Sequence, residues 1–197
     1  MIDRTATISR KTSETDITIE LDLDGSRDIT VSTGVPFFDH MLNALAKHGR
    51  FGLSIDAVGD VEIDPHHTVE DVGIALGQAM KFALGDRAGI ERYGHAYAPL
   101  DEALARAVID CSGRPFLEFH AAFPEAVIGQ DFAASLVEEF WRALVVNAGL
   151  TAHIDLLRAR NSHHAAEAIF KAGAVALRGA IRQTGDSYVP STKGVLA

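Results

Sequence analysis

The chain has 197 residues, 47% hydrophobic and 23% charged, which fits one sizeable core or two small fused units and excludes a disordered chain. A formal net charge of −9 argues against nucleic acid or an anionic membrane as partner, because phosphate-rich surfaces need clustered Lys and Arg. A single cysteine, Cys111, leaves no disulfide framework and no thiolate-rich zinc site, and no apolar leader or membrane-length run is present; the expectation is a soluble cytoplasmic protein.

Residues 16–24, DITIELDLD, alternate Ile17, Ile19, Leu21 and Leu23 with polar side chains, the pattern of a half-buried strand. The turn Asp24-Gly25-Ser26 then predicts a hairpin to a second strand around Ile29 and Val31. Pro36 suits a first helical turn, and Phe37, Met41, Leu42 and Leu45 follow at helical spacing up to Gly49. A strand runs through Leu53, Ile55 and Ala57. After a loop comes His66, and a helix carries Val69, Val72, Leu76, Ala79 and Ala83 on one stripe toward Gly85.

The second half repeats the order. Strands are expected around 103–110 and 116–120, a helix from about 131 to 147, a strand around 152–157 and a helix from about 164 to 182. Each half, 1–90 and 91–197, reads strand, strand, helix, strand, helix, with no Pro- or Ser-rich linker between them. That pattern predicts α+β layers with helices on one sheet face. When His66 is aligned with His163, HHTVED faces HHAAEA; with a two-residue loop difference DHMLNAL (39–45) faces EEFWRAL (138–144), so His40 falls opposite Glu139. A duplication explains these matches.

The two HHxxE segments carry the chemistry. Their first His and the Glu are four residues apart, one helical turn, so one ion can meet His66 and Glu70, or His163 and Glu167. The second His is rotated by about 100° and is better placed to serve a neighbouring ion. Two such segments imply two metals, each drawing ligands from both halves or from adjacent subunits. Imidazole with carboxylate and no thiolate points to a divalent ion such as Mn, Fe or Zn. A second constellation, Arg92, Arg114, Lys171 and the segment Ser191-Thr192-Lys193-Gly194, carries donors suited to a phosphate monoester, the last as a short backbone nest.

Taken together, RKTSETDI (10–17), FFDHM (37–41), IDPHHTVEDVGIAL (63–76), PLDEA (99–103), CSGRP (111–115), NSHHAAEAIFK (161–171) and PSTKG (190–194) resemble the imidazoleglycerol-phosphate dehydratase family over essentially the whole chain. The resemblance implies two similar α+β halves, each a roughly four-stranded sheet covered by two helices and akin to ribosomal protein S5 domain 2. It also implies a homo-oligomeric shell of 24 subunits with active sites between subunits, and two divalent ions per site, Mn2+ foremost. By resemblance one ion takes His40, His67, His163 and Glu167, and the other takes His66, Glu70, His164 and the residue at position 139. Arg92, Arg114, Ser191, Thr192 and Lys193 correspond to phosphate-contacting segments, and His48 and Lys171 to substrate-contacting ones. The implied reaction is dehydration of imidazole glycerol phosphate to imidazole acetol phosphate in histidine biosynthesis, through a metal-bridged imidazolate and a diazafulvene-like intermediate. Glu14 matches the family's acid/base carboxylate and contacts substrate.

Three positions depart from the family pattern. Glu139 stands where a His ligand is expected, Ala159 replaces a usual Gly and Val175 a usual Arg. A carboxylate at 139 can bind the same ions, but its negative charge weakens the metal's acidifying power. Two other functions use the same residues: a dinuclear metallohydrolase of a small phosphate ester, and a metal-binding shell protein that has lost turnover.

Overall fold

The computed structural model describes residues 4–194 and 196. The first half comprises β1 (Thr5–Lys11), β2 (Thr15–Asp22), β3 (Ile29–Ser32), α1 (Pro36–Gly49), β4 (Gly52–Gly59) and α2 (His66–Leu84). The second comprises β5 (Tyr93–Leu100), β6 (Ala103–Asp110), β7 (Phe116–His120), a small pair β8 (Val127–Ile128) and β9 (Phe132–Ala133), α3 (Leu136–Ala148), β10 (Thr151–Arg158) and α4 (Ser162–Ala180). The two four-stranded sheets have the same order, β1-β2-β4-β3 and β5-β6-β10-β7. The α+β tandem repeat is therefore present in the topology as well as in the motifs.

Alternation sets the strand faces. Along β2, Ile17, Ile19 and Leu21 are buried and their neighbours exposed; along β6, Ala103, Ala105, Ala107 and Ile109 do the same. The expected hairpin between β2 and β3 does not form. The turn residues Thr12 to Glu14 join β2 to β1 instead, and β4 pairs along the other edge of β2, from Thr15↔Gly59 to Asp22↔Gly52. With both edges of β2 taken, β3 crosses over to pair in parallel with β4, Ile29↔Leu53 and Val31↔Ile55. The Asp22 carboxylate turns the chain outward by accepting the N–H groups of Gly25 and Ser26 at 2.7 and 2.8 Å.

The edge strands β1 and β5 are additions to the sequence expectation. β1 carries only Ala6 and Ile8 as apolar residues, and β5 turns Gly94, Ala96 and Ala98 inward, so neither has a strong alternating signal. These small residues let α4 lie close: a Cβ on Gly94 would stand 1.9 Å from the Ala176 carbonyl oxygen. Helix α3 begins at Leu136, not near residue 131, because Phe132 and Ala133 pair with β8.

All four helices lie between the sheets. α2 packs on β1 and β2, α4 on β5 and β6, and across the halves α2 meets α3 while α1 meets α4. Phe38, Phe132, Phe140, Trp141 and Phe170 form the aromatic centre of that layer, with Phe140 stacked on Phe170 at 5.2 Å. This cross-packing positions the site, because it brings each HHxxE helix start alongside a helix of the opposite half. Among the described residues no helix is long and apolar enough to cross a membrane.

Candidate metal centre and substrate pockets

Helix α4 starts where Asn161 caps it: the Asn161 side chain accepts the N–H of His164 at 3.1 Å. Ser162 is pinned by Glu125, which accepts its backbone N–H at 2.7 Å. One turn along, His163 Nε2 stands 3.3 Å from Glu167 Oε2, and His40 of α1 brings its Nε2 to 3.1 Å from the same oxygen. The three donor atoms lie within 4.8 Å of one another. Lys171, a further turn along, takes the other oxygen of Glu167 at 2.7 Å. Burial pushes the Glu167 carboxyl up, but Lys171 and His40 more than offset it and hold the group below its ordinary value. Two imidazoles and one carboxylate aimed at a common point are a donor set that fits a divalent ion.

The first half is arranged differently. At the start of α2, Asp64 accepts the N–H of His66 at 2.7 Å, and His66 Nε2 lies 4.0 Å from Glu70 Oε2. Among the described residues these side chains and Glu139 of α3 do not converge into a three-donor cluster.

The second histidine of each pair points elsewhere, with ring planes at 88° for His66–His67 and 90° for His163–His164. His67 Nδ1 faces Asp60, at 3.0 and 3.2 Å from its two oxygens, with Glu14 Oε2 at 3.8 Å. His164 Nδ1 faces Glu102 Oε2 at 2.9 Å. The Asp60 hydrogen bond raises the pKa of His67, and Glu102 does the same for His164; in return His164 holds the Glu102 carboxyl at about 2. Asp60 and Glu102 escaped the sequence reading. A signal was available for Glu102, which directly precedes β6 as Glu14 directly precedes β2.

Two cavities divide the expected substrate residues. One, of about 890 Å³, lies against His40 and Glu167 and is lined by His48, Lys171, Asn43 and Arg27. Burial, with Lys171 next, lowers the pKa of His48. The other, of about 620 Å³, brings together Arg92, Arg114, Ser191, Thr192 and Lys193, with Tyr188 on its wall. Arg92 is largely committed within the fold: it binds both oxygens of Asp110 at 2.8 and 3.2 Å and donates to the Pro190 carbonyl at 2.6 Å. It thereby holds the terminal segment in place, while Arg114, 3.7 Å from Asp110 and well exposed, keeps free donors. Glu14 sits in the β1–β2 turn, half-exposed, its carbonyl accepting the Asp60 N–H at 3.2 Å.

Comparison with known proteins agrees over both halves. The profile described as Imidazoleglycerol-phosphate dehydratase matches residues 33–177. Proteins of that name from Nitrosomonas europaea and Thiobacillus denitrificans are 53% identical over 198 residues and 58% identical over 196 residues; alignment covers 100% and 98% of this chain and 100% of each relative. The crystal structure of imidazoleglycerol-phosphate dehydratase from Staphylococcus aureus superposes with a TM-score of 0.83 at 43% identity, covering 91% of this chain and 99% of that one. The enzyme from Pyrococcus furiosus in complex with (S)-C348 gives 0.83 at 36% identity, covering 96% and 100%. With both sheets and both helix-start motifs inside these alignments, the chain belongs to the imidazoleglycerol-phosphate dehydratase family.

Proposed function

We propose that this protein is a hydro-lyase of histidine biosynthesis that converts imidazole glycerol phosphate to imidazole acetol phosphate. The observation that carries the proposal is the convergence of His40, His163 and Glu167 on one point beside a cavity lined by His48 and Lys171. In this reading two divalent ions, Mn2+ foremost, are held by His40, His67, His163 and Glu167 and by His66, Glu70, Glu139 and His164. When bound, the ions supply Lewis acidity that favours the deprotonated imidazole ring of the substrate, making the ring electron-rich enough to expel the adjacent hydroxyl.

The chain's own residues do the rest. Arg114, Ser191, Thr192 and Lys193, on a segment anchored by Arg92, bind the phosphate through charge-assisted hydrogen bonds. Lys171 keeps the Glu167 carboxylate ionised and turned toward the two histidines. His48, held uncharged by burial and by Lys171, contacts the substrate as a neutral hydrogen-bonding ring. Glu14 carries the proton lost from the neighbouring carbon.

His67 lies outside the His40 cluster, and the phosphate pocket has no lining residue in common with the His48 cavity. That separation supports active sites completed between subunits; the 24-chain homo-oligomer is carried by the family resemblance, and the cytoplasmic setting by the sequence composition. The test is an assay on Mn2+-loaded protein that follows ketone formation and inorganic phosphate separately. Ketone product without phosphate release is expected. Phosphate release would instead identify a phosphate-ester hydrolase, and substrate binding without either product would identify a protein that has lost turnover.

A further inference from the structure

We infer that Asp60 and Glu102 are positioning carboxylates that orient His67 and His164 toward metal, one from each half but from non-equivalent places, and that this substitution of roles is what leaves Glu14 free for proton transfer. The inference rests on the metal-ligand reading above. Glu14 immediately precedes β2 and Glu102 immediately precedes β6, both strands being eight residues long, so the two glutamates occupy the same turn of the two halves. Ladder register fixes a second equivalence. Asp16 pairs with Val58 and Leu104 pairs with Arg158, so two residues further on, Asp60 and Arg160 stand in the same place. Both backbone N–H groups donate to the turn glutamate of their half, though to different atoms: the Asp60 N–H to the Glu14 carbonyl at 3.2 Å and the Arg160 N–H to the Glu102 side-chain Oε1 at 3.1 Å.

Side-chain chemistry at this place is inverted between the halves. In the first half Asp60 supplies a carboxylate, which occupies His67 Nδ1 at 3.0 and 3.2 Å and keeps Glu14 at 3.8 Å, outside hydrogen-bond range. In the second half Arg160 supplies no carboxylate, and the turn glutamate itself takes the histidine: Glu102 Oε2 reaches His164 Nδ1 at 2.9 Å while its other oxygen is tied to Arg160. A carboxylate on Nδ1 fixes the proton there and leaves the Nε2 lone pair pointing away from it, the form in which an imidazole binds metal. Both second histidines thus receive the same preparation. Only one of the two turn glutamates is consumed in providing it.

The experiment is calorimetric titration of the metal-free, full-length assembled protein with Mn2+, together with turnover of the loaded protein. Asp60→Ala and Glu102→Ala are expected to weaken Mn2+ binding by roughly tenfold to a hundredfold. Asp60→Asn and Glu102→Gln, which keep a carbonyl oxygen to accept the Nδ1 proton, are expected to recover part of that loss; they also serve if an alanine variant fails to fold. Glu14→Gln is expected to keep Mn2+ affinity within about twofold while turnover falls, the opposite of a positioning role. Wild-type affinity in Asp60→Ala and Glu102→Ala overturns the inference and leaves the metal reading standing, as does a Glu14→Gln variant that loses metal as strongly as Asp60→Ala. A wild-type protein that takes up no Mn2+ overturns the metal reading itself.

Discussion

Strand order, helix placement and the perpendicular histidine pairs are common to the two halves of this molecule, but the chemistry set on that frame is not. The second half, with His40 lent by α1, gathers two imidazoles and a carboxylate around one point and backs the carboxylate with Lys171. Around the first-half motif the corresponding residues are His66, Glu70 and, from α3 of the other half, Glu139, and the position matching Lys171 is Ile74. One set therefore combines a single carboxylate with a compensating ammonium group; the other combines two carboxylates with none. Duplication preserved the parts that the shared core depends on, because every helix packs against the opposite half and a change in one half strains the other. The HHxxE helix starts are kept as well; the copies differ in residues around them, Glu139 against His40 and Ile74 against Lys171.

The largest test of this contrast is to remove the second-half cluster. Glu167→Ala should abolish turnover and remove one of two Mn2+ equivalents, measured by calorimetry; unchanged stoichiometry would mean that the cluster is not an ion site. Next comes the functional divergence of the turn glutamates. Glu14→Gln should lower kcat by about 10²- to 10⁴-fold with metal retained, and in a Glu102→Gln background the added Arg160→Asp should restore Mn2+ affinity by recreating the first-half arrangement. Failure of that double variant would show that equivalence along the ladder does not extend to the histidines.

A smaller effect is expected from Glu139→His, which makes the first-half donor set resemble the second. Trading a carboxylate for an imidazole should move that position's preference from Mn2+ toward Zn2+ in a competition titration; an unchanged preference would place Glu139 outside the site. The shared helix layer is probed by Gly77→Val, whose new Cβ would fall 2.6 Å from the Leu144 carbonyl oxygen across the α2–α3 seam. A loss of about 1–3 kcal/mol from overpacking is expected in denaturant unfolding.

The smallest effect concerns Asp22. The N–H of Gly25, with those of Ser26 and Asp24, holds its carboxyl below the ordinary 3.8 against a modest opposing burial effect. A carboxyl depressed in the folded state stabilises fully above its unfolded value, and that stabilisation is lost as pH falls through the lower folded value. Asp22→Asn should therefore lower Tm slightly at pH 7 and lose its effect at pH values below the folded pKa. A Tm difference that persists unchanged into strong acid would assign the loss to geometry instead of charge.

Much of this arrangement was legible in the chain itself. Alternation in 16–24, the helical stripes after Pro36 and His66, and the match of HHTVED to HHAAEA determined the inner strands, the helices and the duplication, because these signals are local and periodic. The turn-helix spacing also determined that His163 and Glu167 share a face. Tertiary structure decided what periodicity does not encode: that β3 crosses to β4 because β2 has both edges filled, and that β5 is built of Gly94, Ala96 and Ala98 because α4 presses on it. It decided, too, that His40 joins His163, since that meeting depends on α1 packing on α4, elements far apart in sequence. Glu102 belongs to the same class, because it reaches the distant His164 only once β6 has paired with β10. Asp60 meets His67 within the single connection between β4 and α2, a nearby relation that periodicity alone does not encode.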